Sequence, residues 1–195
     1  VHTSELVQTI VKTLHSQTQV PVVFDPVMVA TSGHKLIEDD TIEVIAKQLI
    51  PLAQLITPNL DEAAILADMK IDSVEDMYRA GKRIIDLGAQ GLLLKGGHLK
   101  TEKLTSLYFT KQGEVHEFSY EKYDTNNTHG SGCTLSSAIA SYLARGESIL
   151  EAVGKGQKFV HKAIYHGKDV QVGHGNGPLN HFFNPEKLIK NELER

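Results

Sequence analysis

One thiol in 195 residues stands where a turn ends and a helix is expected to begin. Cys133 follows Gly130-Ser131-Gly132 in the stretch NTHGSGC and opens an apolar-periodic run. Glycines on both sides of Ser131 permit a tight turn with close backbone approach. The helix behind it presents unpaired N–H groups and the positive end of its dipole, so turn and helix together can hold an anion. A helix N-terminus also favours thiolate over thiol. In that setting Cys133 can take a proton from a substrate hydroxyl while Gly130, Ser131 and Gly132 hold a transferring phosphoryl group. A buried, inert cysteine behind an ordinary turn explains the same residues equally well. Charged and amide side chains also close several short apolar runs. Asp25 follows VPVVF, Asn59 and Glu62 stand one turn apart in TPNLDEA, and Lys95 ends GLLLK. Asn59, Glu62 and Asp25 can hold Mg2+ directly or through water, because hard oxygen ligands suit that ion and it keeps several waters. Lys95 can reach an ATP phosphate. The plainer readings are Asn59 as a helix cap, Asp25 as the residue that turns the chain before Pro26, and Lys95 as a side chain reaching for solvent.

The ten histidines invite a metal reading. No His–Cys spacing matches a zinc site. His161, His166, His174 and His181 fall in different expected elements and read as surface or loop residues. His129, inside the turn, is the exception.

These side chains need a frame. Residues 3–14 put Leu6, Val7, Ile10, Val11 and Leu14 on one helical face. VPVVFDPVM reads as a buried strand whose carboxyl end meets a loop. Residues 39–53 are helical, with Asp39 and Asp40 suiting the dipole at the start. QLITPN is a second short strand, and Asn59 can cap the helix over 60–69. Residues 73–88 form a strongly amphipathic helix with Val74, Met77, Tyr78, Ile84 and Ile85 on one face and Gly88 at its end. GLLLKGGH is a buried strand entering a glycine loop. LTSLYFT and EVHEFSYEKY, joined by KQG, read as a β-hairpin. Helices over 133–145 and 148–166 follow, then the loop VGHGNGP and a charged helix over 185–195. Helices alternating with short β-rich runs imply an α/β sheet covered on both faces. Such sheets bind ligands beyond the carboxyl ends of their strands, where Asp25, Asn59, Glu62 and Lys95 all fall.

The bulk numbers narrow the class. The length implies one domain over residues 1–195, and 41% hydrophobic residues can build a core. A net charge of −4 argues against nucleic-acid binding. A single cysteine forms no internal disulfide and fits a reducing compartment, the cytoplasm. No apolar run approaches the roughly 20 residues of a membrane helix, and none of these residues reads as a signal peptide.

Taken together, DPVMVATSG, LITPNLDEAAIL, LLKGGHL, DTNNTHGSGCTLSSAIAS and VGHGNGPLNHF, in this order and spacing, closely resemble the hydroxymethylpyrimidine/phosphomethylpyrimidine kinases of thiamine biosynthesis. The resemblance covers essentially the whole chain. It implies a ribokinase-like fold, a mostly parallel sheet in three α/β/α layers. It implies MgATP-dependent phosphorylation of 4-amino-5-hydroxymethyl-2-methylpyrimidine, then of the monophosphate to the diphosphate, and a homodimer. By the same resemblance Cys133 stands where most ribokinase-like enzymes place an aspartate general base. Gly130, Ser131 and Gly132 match the anion hole, with Ser131 in place of the commoner threonine. Asp25, Asn59 and Glu62 match the Mg2+-phosphate region, and Lys95 and Thr125 the ATP side. Val27 matches a position that touches the pyrimidine, and His129 a residue beside the catalytic cysteine of related pyridoxal kinases.

One departure stands out. Members of the family begin with a strand and a glycine-rich segment that build much of the substrate pocket, and nothing in this sequence matches them. The expectation is a C-terminal portion of the domain, lacking the N-terminal strands, with the phosphate half of the site present and the pyrimidine half incomplete. Two alternatives stand beside the thiamine-pathway kinase. One is a pyridoxal/pyridoxine kinase of the same cysteine-bearing group, disfavoured by KGGH and VGHGNGP. The other is a non-catalytic ligand-binding derivative, disfavoured by the retention of Cys133, Asp25, Glu62 and Lys95.

Overall fold

Five strands form one sheet in the order β1-β2-β3-β4-β5. The structure, a computed structural model, describes residues 2–17, 20–29, 36–97, 99 and 102–186. Strands β1 (Val23–Phe24), β2 (Leu55–Ile56) and β3 (Gly91–Lys95) run parallel. The expected hairpin, β4 (Lys103–Thr110) and β5 (Val115–Glu121), continues the sheet antiparallel to β3. Helices α1 (Ser4–His15), α2 (Asp39–Val44), α3 (Leu60–Ala67) and α4 (Val74–Asp86) precede the hairpin; α5 (Ser131–Ala144) and α6 (Ile149–Gly167) follow it.

Side-chain alternation explains the two covered faces. Ile56, Leu92, Leu94, Leu107 and Phe109 point into one core, shared with α1 to α4. Their neighbours Leu55, Leu93 and Tyr108 point into the other, shared with α5 and α6. Both faces are buried, so the strands read as continuous apolar runs rather than as alternating ones. Close approach tightens each layer. A side chain on Gly81 of α4 would place Cβ 2.2 Å from the Phe109 ring, and one on Gly156 of α6 would place it 2.7 Å from Ile139 of α5.

Some expected elements are shorter or differently wound. Of the short buried strand expected in VPVVFDPVM, only Val23 and Phe24 join the ladder. Pro26 and Pro58 follow β1 and β2 by two residues and lack the N–H that would extend either. The helix expected over 39–53 begins as α2, becomes a π turn over Ile45–Leu49 and closes as a 3-10 turn over Ile50–Leu52. Pro51 sits in that last turn, where an α-helical N–H bond is unavailable to it. Leu6 lies on the solvent side of α1, while Val7 and Val11 are buried. The charged helix expected over 185–195 lies outside the described residues beyond Glu186. Among the described residues no helix is long and apolar enough to cross a membrane.

Candidate active site

The parallel strands aim their carboxyl ends at one place. Phe24 pairs with Ile56 in register, so the next residues, Asp25 and Thr57, lie side by side. Thr57 Oγ1 donates to Asp25 Oδ1 at 2.9 Å. Lys95, the last residue of β3, reaches the same oxygen with Nζ at 3.0 Å. The two charged side chains are only 17% and 15% exposed, which marks the pair as partly buried rather than a surface contact. A partly buried pair of this kind holds each charge in place, and removing either partner strands the other in a poorly hydrated site.

Glu62 is fixed by backbone. Asn59 accepts from the Glu62 amide at 2.9 Å, and Glu62 Oε2 accepts from the Asn59 amide at 2.8 Å, a capping box at the start of α3. Glu62 Oε1 accepts from the Met28 amide at 3.4 Å, tying α3 to the segment after Asp25. Its side chain is nearly fully buried. Burial pushes the Glu62 carboxyl above the ordinary carboxylate range, and the nearby Asp25 charge adds to this; the Asn59 amide and the Lys95 ammonium oppose it. The cap and the pocket are therefore one structure: Asn59 serves as a cap, and the cap holds Glu62 beside Asp25 and Lys95.

The turn before Cys133 completes the cluster. Gly130 has φ +83°, a left-handed conformation that favours glycine. Among the helices of eight residues or more, α1, α3, α4 and α6 are each capped by a side chain: Thr3, Asn59, Ser73 and Ser148. The N-terminus of α5 has no such cap. The Ser131 amide turns back to Thr128 O at 3.2 Å, and among the described residues no acceptor is seen for the amides of Gly132 and Cys133. The α5 terminus also points at the charged pair. A Cβ built on Gly132 would lie 3.4 Å from Lys95 Nζ and 3.8 Å from Asp25 Oδ2. Two open amides, a helix dipole and an ammonium thus converge, which is what an anion of phosphate size requires. Cys133 is exposed at the head of a groove that runs along α5.

Residues 1–180 match the family model of phosphomethylpyrimidine kinase. The chain belongs to that family. The hydroxymethylpyrimidine/phosphomethylpyrimidine kinase of Staphylococcus aureus (strain Mu50 / ATCC 700699) is 40% identical over 182 residues, 92% of this chain and 65% of that protein. The crystal structure of phosphomethylpyrimidine kinase from Clostridium difficile 630 superposes with a TM-score of 0.71 at 39% identity, covering 84% of this chain and 66% of that one. The pyridoxal kinase of Staphylococcus aureus in complex with AMP-PCP gives a TM-score of 0.82 at 34% identity, covering 92% and 64%. The three layers are the ribokinase-like fold of these kinases. The chain spans 65% of the length of the Staphylococcus aureus relative.

Within that fold the expected site residues divide. Asp25, Asn59, Glu62 and Lys95 form a connected cluster, with Gly132 of the turn beside it. Val27 follows Asp25 by two residues, and about half of its surface is exposed. Residues 30–35 and His98 lie outside the described residues. His129 sits one residue before the left-handed Gly130, and its amide donates to Gly177 O at 3.1 Å. Thr125 lies in a different groove, of about 380 Å3, between residues 125–127 and the 168–177 loop. There its hydroxyl donates to Lys168 O at 3.0 Å and accepts from the Asn127 amide at 3.1 Å. Thr57 was missed. Its only signal is strand register, because it occupies the same place after β2 that Asp25 occupies after β1.

Proposed function

We propose that the protein phosphorylates the hydroxymethyl group of 4-amino-5-hydroxymethyl-2-methylpyrimidine with ATP, and then the monophosphate to the diphosphate. One observation carries the reading: the uncapped start of α5 faces the partly buried Asp25–Lys95 pair, with Cys133 at its head. The relatives named as hydroxymethylpyrimidine/phosphomethylpyrimidine kinases supply the substrate class. The relative solved with AMP-PCP, an ATP analogue, supports the nucleotide.

In this reading the amides of Gly132 and Cys133 and the Lys95 ammonium hold the equatorial oxygens of the transferring phosphoryl group. Cys133 Sγ accepts the proton of the hydroxymethyl group as its oxygen attacks phosphorus and the bond from phosphorus to the ADP oxygen breaks. Gly130 and Ser131 shape the turn, and His129 and Val27 border it toward the acceptor. Thr125 lines the nucleotide side. Among the described residues no three His, Cys, Asp or Glu side chains converge as a metal site of their own. Asp25 and Glu62 still fit Mg2+, because that ion takes few carboxylates and completes its shell with water and phosphate oxygens. When bound there, Mg2+ would neutralise phosphate charge. Asp25 would hold it, and Glu62, with both oxygens already accepting amides, would orient its waters. The reading includes a homodimer in a reducing cytoplasm, where a lone thiol stays reduced.

Phosphate transfer from ATP to the hydroxymethylpyrimidine and to pyridoxal, measured side by side on the protein from its complete reading frame, tests this. Turnover of the pyrimidine is expected. Turnover of pyridoxal alone would favour the second reading, pyridoxal kinase, which the higher TM-score to that enzyme supports and the lower identity opposes.

A further inference from the structure

Folding brings His181, 47 residues beyond Thr134, back to the turn that holds Cys133. A groove of about 520 Å3 along α5 is lined by Cys133, Thr134, Ser137, Phe159 and His181, among others. Thr134 Oγ1 lies 2.8 Å from Gly130 O and 2.9 Å from His181 Nε2. A hydroxyl has one proton to give. The Gly130 carbonyl can only accept, so that proton goes to it and His181 must be the donor to Thr134. The imidazole therefore carries its proton on Nε2. Neutral and protonated imidazole both have that N–H, so the contact survives either charge state.

The contact closes a brace. Gly130 O accepts from the Thr134 amide as well, at 2.9 Å, so the left-handed peptide is gripped twice by one residue. The segment 177–181 runs beside the turn. Gly177 O accepts from the His129 amide at 3.1 Å, Asn180 N donates to Ala163 O at 3.0 Å, and Leu179 is buried. Gly177 leaves no room for a side chain, since a Cβ there would meet Asn127 Oδ1 at 2.0 Å. Asn127 is itself locked by donating to Gly167 O at 2.7 Å and Val170 O at 2.6 Å. His181 is the last tie of this segment to the first turn of α5.

We propose that His181 is a positioning residue for phosphoryl transfer: through Thr134 it fixes the Gly130 peptide, and with it the open amides of Gly132 and Cys133, against the 177–181 segment. The proposal rests on the kinase reading above. His181 is exposed, so its replacement leaves the core untouched. In the protein from its complete reading frame, His181→Ala lowers kcat for the hydroxymethyl substrate about tenfold, with the KM for ATP within about twofold. His181→Gln, whose amide N–H reaches where Nε2 does, restores most of that loss. Thr134→Val matches His181→Ala, and the double variant loses no more than either single one. Nitrogen-15 imidazole spectra show the proton on Nε2, and amide exchange at Gly132 and Cys133 quickens in His181→Ala but not in His181→Gln. Unchanged kcat in His181→Ala, additive losses in the double variant, or a glutamine variant as slow as the alanine one would overturn the role of His181 alone. An unaltered protein that phosphorylates neither pyrimidine nor pyridoxal would overturn the kinase reading, and the role of His181 with it.

Discussion

Cys133 and Glu62 place different demands on the chemistry, and substitutions separate them. A hydroxymethyl group must lose a proton to become a nucleophile. A phosphate monoester, with a second ionisation near pH 6, already offers a charged oxygen at neutral pH. A general base at Cys133 therefore matters to the first phosphorylation and little to the second. Cys133→Ala is expected to slow the first step by about 10²–10⁴-fold, to slow the second far less, and to leave nucleotide affinity unchanged by calorimetry. Equal losses in both steps would instead assign Cys133 to holding the phosphoryl group. For Glu62 the sign follows from burial, which raises its ionisation in the fold above the ordinary value of 4.5. The folded protein keeps that proton to higher pH than the unfolded chain. Its contribution to stability is full below 4.5 and is lost as pH rises through the folded value. Glu62→Gln cannot ionise, so its stability relative to the unaltered protein should improve as pH rises from the acid side toward neutrality, read from urea midpoints. The same variant should weaken the Mg2+ dependence of nucleotide binding. A stability difference that does not change with pH would mean that burial does not raise the ionisation of Glu62 in the fold.

At the scale of elements, the turn before α5 contains two glycines with separate duties. Gly130 is needed for its backbone, at φ +83° with nothing within 4 Å of a built Cβ. Gly130→Ala should cost about 1–2 kcal/mol, a fall of a few degrees in Tm for a chain of this size. Gly132 is needed for space, since its Cβ would press on Lys95 Nζ at 3.4 Å. Gly132→Ala should leave Tm nearly unchanged and weaken nucleotide binding in titration calorimetry. The reverse pattern would move the anion site away from Gly132. Helix starts at Asn59, Ser73 and Gly130, and stops at Gly88 and Gly146, depend on neighbours within four residues, and the chain states them directly. Asp25 and Lys95 were legible because each closes an apolar run, and Glu62 because it stands one turn after Asn59 at a helix start. Contacts set by register or by distant segments were not. Thr57 against Asp25 spans 32 residues and Thr134 against His181 spans 47, and neither carries a local pattern. His181 is the exposed loop histidine that its sequence context implies, but its contact with Thr134 has no local signal. The short strands and the break of the second helix into π and 3-10 turns follow from prolines whose effect on the ladder depends on the partner strand or the turn around them.

For the whole molecule the sheet edge at β1 is the feature with consequences. Among the described residues β1 is paired on one side only, by β2. Val23 and Phe24 are half-buried, whereas Leu55, Ile56 and the first four residues of β3 are buried. Parallel sheets are ordinarily covered, and an apolar edge with free N–H and C=O groups is a template for another chain. The 195-residue chain by itself is therefore expected to self-associate with rising concentration in sedimentation velocity. Two geometries are open to it. Pairing of β1 with β1 is self-complementary and closes at a dimer, whereas pairing of β1 with the opposite edge β5 is head-to-tail and grows open-ended unless its rotation closes a ring. The β5 edge carries Glu117 and Glu121, both exposed, and charge of this kind guards an edge against pairing. Closed dimers should accordingly outweigh open-ended growth. Val23→Lys should shift the chain toward monomer while leaving its circular dichroism unchanged. Association that survives this change would place the contact elsewhere on the surface, and the groove along α5, which packs beside β1, would be the next face to test.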